Sequence, residues 1–197
     1  MEKSSFVILD IETTGLSRFR DKVTEFSGVK VKWDVDLGAY RAIDEFSTLI
    51  NPERRIPGFI TRFTGITNEM VKDAPVFAEV SFRIKEFIGD NVIVAHNTTF
   101  DYNFLDHNFR QCGIEGLFND ALCTCKLSRR IVPYLSSYRL QSVCNHFHVD
   151  NVQAHRAMGD VLATKEVFDH LYKRMKMRDI EYLNDALKFQ KSRIVKC

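Results

Sequence analysis

Two carboxylates stand close together at the end of an apolar run near the start of the chain. Asp10 and Glu12 follow residues 6–9, a continuous apolar run that predicts a strand buried on both faces. Side chains alternate along a strand, so both carboxylates point to one face. They repel each other there, and one would be forced toward its neutral form unless a cation compensates them. Hard oxygen ligands favour Mg²⁺ or Mn²⁺, whereas the alternative is a polar strand end that faces solvent.

A third acid, Asp101, lies in the first turn of a predicted helix. Residues 95–101 run from a strand into that helix, and Leu105 lies one turn further along on the same side. Asp101 therefore borders the buried face of the helix. The alternative is local, because Thr98 and Asp101 have the spacing of a capping box and acids are favoured at helix N-termini.

A fourth acid and a histidine lie in residues 155–160. Asp160 shares a helical stripe with the apolar residues Ala163 and Val167, and an acid on such a face needs a partner. His155 cannot share that face inside the helix, since five residues turn about 140° too far. We therefore place His155 just before the helix, where it leans over the site from a loop. The alternative is a surface or cap histidine.

The length and composition of the chain limit the classes of protein to which it can belong. The chain has 197 residues, 45% of them hydrophobic, which predicts one compact domain with a substantial core. A net charge of +2 argues neither for nor against a nucleic-acid partner. We expect no signal peptide, because the first five residues lead straight into a strand, and no apolar run approaches the ~20 residues that span a membrane.

The cysteines indicate a cellular setting. Five cysteines at irregular spacing predict a reducing, cytoplasmic environment in which they are small buried thiols. A zinc site is the minor alternative, because the spacing of the candidate ligands matches no common zinc module. Those candidates are Cys123, Cys125, His146 and His148.

The elements that must position these side chains fall into two parts. An antiparallel meander is predicted first, with strands at 6–9, 25–33 and 45–50 and a hairpin turn over 34–40. Helices and strands then alternate, which predicts an α/β fold with a mixed β-sheet flanked by helices. The predicted helices are 68–71, 76–88, 99–112, 125–131, 138–147 and 157–175, and the remaining strands are 91–95 and 122–124. Residues 1–175 are predicted to form the main domain and 176–197 a C-terminal helical, basic tail.

Taken together, the motifs resemble those of a known nuclease superfamily. Residues 10–16, 96–101 and 155–160 are similar, in order and spacing, to the three exonuclease motifs of the DEDD superfamily in its histidine subtype (DEDDh). The resemblance covers roughly residues 5–172 and is greatest to the proofreading epsilon subunit of bacterial DNA polymerase III and to the exonuclease domain of Gram-positive replicative polymerases. Cys123 and Val161 depart from the pattern, where relatives commonly have Asp and Ala.

The resemblance implies a fold, an activity and a mechanism. The fold is ribonuclease H-like, and residues 1–175 would be a 3′→5′ exonuclease that releases nucleoside 5′-monophosphates. Two divalent cations, Mg²⁺ or Mn²⁺, are implied, with Asp10 bridging both, Glu12 and Asp160 completing one site, and Asp101 holding the second ion through water. His155 is the implied general base. The implied substrate-binding residues are Thr13, Thr14, Gly15, Leu16, Asn97 and Phe100.

The resemblance also implies a partner and leaves alternatives. The expected partner is a nucleic acid with a free 3′ end, single-stranded or frayed, most simply DNA in proofreading or repair, and a DNA polymerase catalytic subunit is a candidate protein partner. An RNA-trimming exoribonuclease is one alternative, and a catalytically inactive nucleic-acid-binding subunit is another. Candidate phosphate contacts, for which solvated surface charge is the simpler role, are Arg18, Arg20, Arg54, Arg55 and Arg62.

Overall fold

The computed structural model describes residues 1–2, 4–151 and 154–194. Five strands and eight helices lie in these ranges. The strands are β1 (Phe6–Thr13), β2 (Val23–Asp34), β3 (Ala39–Leu49), β4 (Val92–Ala95) and β5 (Ala121–Cys123). The helices are α1 (Gly58–Thr64), α2 (Asn68–Val71), α3 (Phe77–Ile88), α4 (Thr99–Gln111), α5 (Thr124–Ile131), α6 (Leu140–Phe147), α7 (Ala157–Lys176) and α8 (Leu183–Phe189). Of these helices, none is long and apolar enough to cross a membrane.

The five strands form one mixed sheet in the order β3-β2-β1-β4-β5. β3, β2 and β1 are antiparallel neighbours, whereas β4 and β5 run parallel to β1. The predicted α/β fold, a meander joined to parallel strands and flanked by helices, is therefore confirmed. β1 lies at the centre, which explains why its first four residues are all buried.

Alternation along β1 divides the core into two layers and decides where its acids point. Phe6 and Ile8 lie in a cluster with residues of α5, α6 and α7, whereas Val7 and Leu9 pack with residues of α3 and α4. Positions 10 and 12 continue the series of Phe6 and Ile8. The carboxylates of β1 therefore face the layer that contains α7.

The hairpin between β2 and β3 is tighter than the sequence predicted. The predicted hairpin turn lies within 34–40 but is shorter than predicted, and the strand start at 45 is wrong, because β3 begins at Ala39, which pairs with Asp34. The carboxylate of Asp34 accepts the backbone N–H groups of Asp36 and Leu37, at 3.1 Å each. Gly38, with φ of +57°, then completes the reversal. The first part of β3 was not predicted because the exposed residues at 41, 44 and 45 are polar and interrupt the apolar pattern of a strand.

Two helical segments also differ from the prediction. α1 was not predicted, because its exposed face carries Phe59 and Phe63, which blur the apolar stripe of a surface helix. The helix predicted over 138–147 begins only at Leu140, since Arg139 has an extended backbone and acts as its N-cap. Tyr138 and Arg139 are consequently loop residues.

The C-terminal segment packs against the outer strand of the sheet. Helix α8 follows α7, and its Ala186 is fully buried. Just beyond it, the Gln190 amide accepts the backbone N–H of Cys123 at 2.9 Å and donates to the carbonyl of Ala121 at 2.8 Å. Gln190 therefore completes the hydrogen bonding of β5 in place of a further strand. Whether residues 176–197 act as a separate tail stays a prediction.

Replacing Gln190 should destabilise the fold. The Gln190→Ala change leaves a buried donor and a buried acceptor of β5 without partners, which costs about 1–3 kcal/mol per group. Urea unfolding should show a lower midpoint with an unchanged slope. Gln141→Ala is the matched control, because the Gln141 side chain lies on the surface and bonds only Asn145. Equal stability of the two variants would show that the β5 contact contributes nothing.

Candidate active site

Three carboxylates meet where β1 approaches the first turn of α7. Asp10 and Glu12 come from β1 and Asp160 comes from α7, and one oxygen from each lies within 4.8 Å of the others. Within residues 1–2, 4–151 and 154–194 this is the one group of three or more such side chains placed to share a metal ion. Carboxylate oxygens are the ligands that Mg²⁺ and Mn²⁺ prefer.

The environment of the acids in this site disfavours their ionised forms. Burial, followed by the charges of Asp101 and Glu12, raises the pKa of Asp10 well above its ordinary value. Burial, then the charges of Asp160 and Glu25, raises the pKa of Glu12 to about 8. Burial also raises the pKa of Asp101 to about 8. A bound cation would reverse this effect, because it stabilises the ionised carboxylates.

Asp101 lies behind the three clustered carboxylates. It is only 2% exposed, and its Oδ1 accepts the backbone N–H of Ile11, at 3.3 Å, from between the two acids of β1. The capping-box alternative is wrong, since the hydroxyl of Thr98 donates instead to the carbonyls of Ala95 and Leu122. Asp101 is outside the group of oxygens that lie within 4.8 Å of one another. Its role as a ligand stays a proposal.

His155 precedes α7 and is exposed at the edge of the site. Its φ is +67°, and its backbone N–H donates to Oδ2 of Asp160 at 3.2 Å. This bond ties the histidine to a clustered carboxylate through the main chain. The imidazole packs on the ring of Phe63 from α1, with ring centroids 4.0 Å apart. The sequence did not predict this contact, because it joins residues far apart in the chain.

A second acid–base pair fixes the start of α7 to the sheet. Glu25 on β2 lies opposite Glu12 in the β1–β2 register and is 3% exposed. Its carboxylate accepts Nη2 of Arg156 at 2.7 Å, Nε at 3.2 Å and the backbone N–H of Ala157 at 3.0 Å. This bidentate contact locates the residues on both sides of Arg156, which are His155 and the helix that carries Asp160. Sequence analysis missed the pair, although an acid inside an apolar strand was a signal for it.

The threonine side chains in the turn after β1 form hydrogen bonds with the backbone of the protein itself. The hydroxyl of Thr13 donates to the carbonyl of Gly15, and that of Thr14 accepts the backbone N–H of Lys22. A Cβ at Gly15 would lie 2.6 Å from the carboxylate of Asp21, so a larger residue there would have to displace that carboxylate. Contacts of these residues with a substrate remain proposals.

Leu16, Asn97 and Phe100 border a small cavity. Leu16 is 86% exposed. Asn97 has a φ of +73°, which turns the chain sharply between β4 and α4. The cavity measures about 260 Å³. The structure thus brings together these three predicted substrate residues, and their function stays a proposal.

A larger cleft has a volume of about 830 Å³. Its lining includes Asp10 and Asp160, together with Asn97 and His155. Its wall is held by His96, whose pKa is lowered by burial. The neutral ring donates from Nε2 to the carbonyl of Tyr138 at 2.8 Å and accepts the hydroxyl of Thr124 at Nδ1, at 2.9 Å.

Comparison with known proteins identifies the family. The exonuclease family model (RNase_T) matches residues 7–168. The chain is 34% identical over 190 residues to the DNA polymerase III PolC-type of Bacillus cereus, which covers 95% of this chain and 13% of that protein. It is 37% identical over 187 residues to the PolC-type enzyme of Halalkalibacterium halodurans, covering 93% and 13%. The chain spans 12–14% of the length of the curated relatives it matches.

Solved structures show the same architecture. Exonuclease X in complex with 5′ overhanging duplex DNA superposes with a TM-score of 0.70 at 25% identity, covering 94% of this chain and 99% of that one. Escherichia coli exonuclease I in complex with a dT13 oligonucleotide has a TM-score of 0.77 at 19% identity, covering 90% and 43%, and shows similarity of fold alone. The chain belongs to the exonuclease family, which confirms the predicted class, a 3′→5′ exonuclease of the DEDD superfamily.

Removing a clustered carboxylate should stabilise the protein when no metal is bound. The pKa of Glu12 is about 8 in the folded chain against 4.5 as its ordinary value, so raising the pH through this window favours the unfolded state. The unfolding temperature in EDTA should therefore fall between about pH 5 and pH 8. Asp10→Asn should unfold at a higher temperature than the wild type at pH 8, and the difference should shrink at pH 5.

The matched control for that experiment is Asp90→Asn, which alters an exposed acid away from the cluster. It should follow the wild-type curve at every pH. A large loss of stability in Asp10→Asn at pH 8 in EDTA would instead identify Asp10 as a structural residue.

Proposed function

We propose that this chain removes nucleotides one at a time from the 3′ end of a DNA strand, by a two-metal-ion mechanism with His155 as general base. The observation that carries the proposal is the meeting of three carboxylates within 4.8 Å at the end of a buried strand. Burial and neighbouring negative charges raise the pKa of Asp10 and of Glu12, and a bound cation would offset this effect by stabilising their ionised forms.

The residues of the cluster fit a pair of divalent cations. The charges of Asp101, Glu12 and Asp160 all act on Asp10. In the proposal Asp10 would be a ligand of both ions, Glu12 and Asp160 would complete the ligands of one, and Asp101 would help to hold the other. When bound, the ions lower the pKa of the attacking water and stabilise the charge that develops on the phosphate.

The remaining residues orient the reacting groups. His155 would accept the proton of the attacking water, and its backbone bond to Asp160 keeps the imidazole near the cluster. The pairing of Arg156 with Glu25 limits movement of this segment. Leu16 and Phe100 would contact the terminal base from the small cavity. The turn formed by Thr13, Thr14 and Gly15 would approach the terminal sugar.

We favour DNA as the substrate because the relatives of this chain are proteins that act on or bind DNA. The curated matches are DNA polymerases of the PolC type, and exonuclease X is solved with a DNA duplex. We accordingly propose a proofreading or repair role, in which a DNA polymerase catalytic subunit is the candidate protein partner. The second candidate for the same site is an exoribonuclease activity. Such an enzyme would distinguish RNA from DNA by contacts to the 2′-OH.

End-labelled oligonucleotides test polarity, substrate and metal dependence together. With Mg²⁺ or Mn²⁺, 3′-labelled single-stranded DNA should release labelled mononucleotide at once, whereas 5′-labelled DNA should give a ladder of shortening strands. A mismatched 3′ terminus should be removed faster than a paired one, because an unpaired end costs less free energy to open. Faster removal from RNA would favour the second candidate. Cutting of circular strands, or full activity in excess EDTA, would contradict the proposal.

Loss of the imidazole should affect turnover far more than binding. His155→Ala should lower the turnover rate by about 10²–10⁴-fold, the usual contribution of a general base. Binding of a single-stranded 3′ end in Ca²⁺ should change little, because the four acids remain. His146→Ala is the control, since His146 packs on Tyr134 and Phe147 rather than at the cleft. Unchanged turnover in His155→Ala would reduce His155 to a surface residue.

A further inference from the structure

Two arginines line the 830 Å³ cleft together with the carboxylates. They are Arg129 from α5 and Arg139 from the loop before α6, and both are exposed. Neither arginine forms a salt bridge with an acid in the part of the chain that the structure describes. Both were absent from the arginines that the sequence suggested as phosphate contacts.

Arg129 is held against an aromatic ring. Its guanidinium carbon lies 4.6 Å from the centroid of Tyr138. The ring is fixed in turn, because the hydroxyl of Tyr138 donates to the carbonyl of Val132 at 2.7 Å and its own carbonyl accepts from His96 at 2.8 Å. Stacking engages the face of a guanidinium and leaves N–H groups at its edge free to bind an oxyanion.

The electrostatics of the cleft require such a group. The carboxylates that line the cleft repel a phosphodiester backbone. Bound cations would neutralise only the phosphate that lies beside them. Phosphates further along the strand need cationic side chains, which supply most of the affinity for single strands. An oriented guanidinium suits a phosphate better than an ammonium because it can donate two parallel hydrogen bonds.

We propose that Arg129, stacked on Tyr138 and assisted by Arg139, is a phosphate-binding site for the nucleic-acid strand that occupies the cleft. This inference rests on the proposed function and adds a binding subsite to it. The site reads no base, so it binds strands of any sequence and acts on affinity and KM rather than on the chemical step. Tyr138 supports the arginine and need not contact the strand.

The protein offers a matched control. Arg174 lies 4.6 Å from the ring centroid of Phe147, the same distance as in the Arg129 stack. It does not line the cleft. Arg174→Ala therefore removes one positive charge and one cation–π contact without touching the proposed subsite. Any effect of Arg129→Ala beyond that of Arg174→Ala belongs to the cleft.

The experiment measures binding of a fluorescent oligo-dT strand in Ca²⁺ at several salt concentrations, together with KM and kcat in Mg²⁺. Arg129→Ala should reduce the slope of log K against log salt by about 0.7, the value for one phosphate contact on a single strand. Its KM should rise about fivefold with kcat nearly unchanged, on the scale of one exposed ion pair. Arg129→Lys should keep the wild-type slope, and Arg174→Ala should match the wild type in both measurements.

The outcomes separate this inference from the proposed function. A wild-type enzyme that digests 3′ ends, with the same slope and KM in Arg129→Ala and Arg174→Ala, would overturn the subsite alone. A wild type that binds the strand through Arg129 but digests no 3′ end would overturn the proposed function and keep the subsite. Absence of any binding by the wild type would overturn both. If Arg129→Ala unfolds, Arg129→Gln replaces it in the same comparison.

Discussion

Repulsion among carboxylates at the end of β1 is the constraint on which the site depends. Asp10, Glu12 and Asp160 share one small volume, and Asp101 adds a fourth negative group behind them. Burial sharpens the repulsion, because the charged forms lose water without gaining enough positive partners. The raised pKa values of Asp10 and Glu12 are the direct expression of this conflict. A divalent cation would relieve it, and the clustered carboxylates offer the ligands for one.

The rest of the fold holds these acids in place against their repulsion. The core on both faces of β1 fixes its register, and a shift of one residue would turn Asp10 and Glu12 to the opposite layer. Asp101 is held by the backbone N–H of Ile11, and Glu25 is paired with Arg156. Hydrogen bonds to charged groups contribute about 1.5–3 kcal/mol each, so a few of them offset a substantial part of the strain.

The parts of the fold that follow from local pattern were predictable. The apolar run before Asp10 predicted a buried central strand, and the apolar stripe through Asp160 predicted that it faces inward. The order of the motifs predicted the family. Two elements were mispredicted because local polarity does not reveal tertiary context. The start of β3 was missed because this edge strand is exposed and polar, and α1 was missed because aromatic residues occupy its exposed face.

Contacts between distant residues account for what sequence reasoning missed in the site. The stack of Phe63 on His155, the pairing of Glu25 with Arg156 and the stack of Arg129 on Tyr138 each join separate elements. None has a fixed sequence spacing, since each depends on how α1, α5 and α7 pack around the sheet. The carboxylates were found because alternation along one strand and periodicity along one helix sufficed to orient them.

Because burial raises the pKa of Asp10 and of Glu12, we expect the metal-free site to hold protons that it gives up when a cation binds. Calorimetric titration of Mn²⁺ into the metal-free protein, in buffers of different ionisation enthalpy, measures that proton release directly. Because the pKa of Glu12 is about 8, binding at pH 7 should release protons, and the release should decrease as the pH is raised from 7 toward 8. The release should also be smaller in Glu12→Gln. Mn²⁺ binding at pH 7 without proton release, or no Mn²⁺ binding at all, would contradict the account.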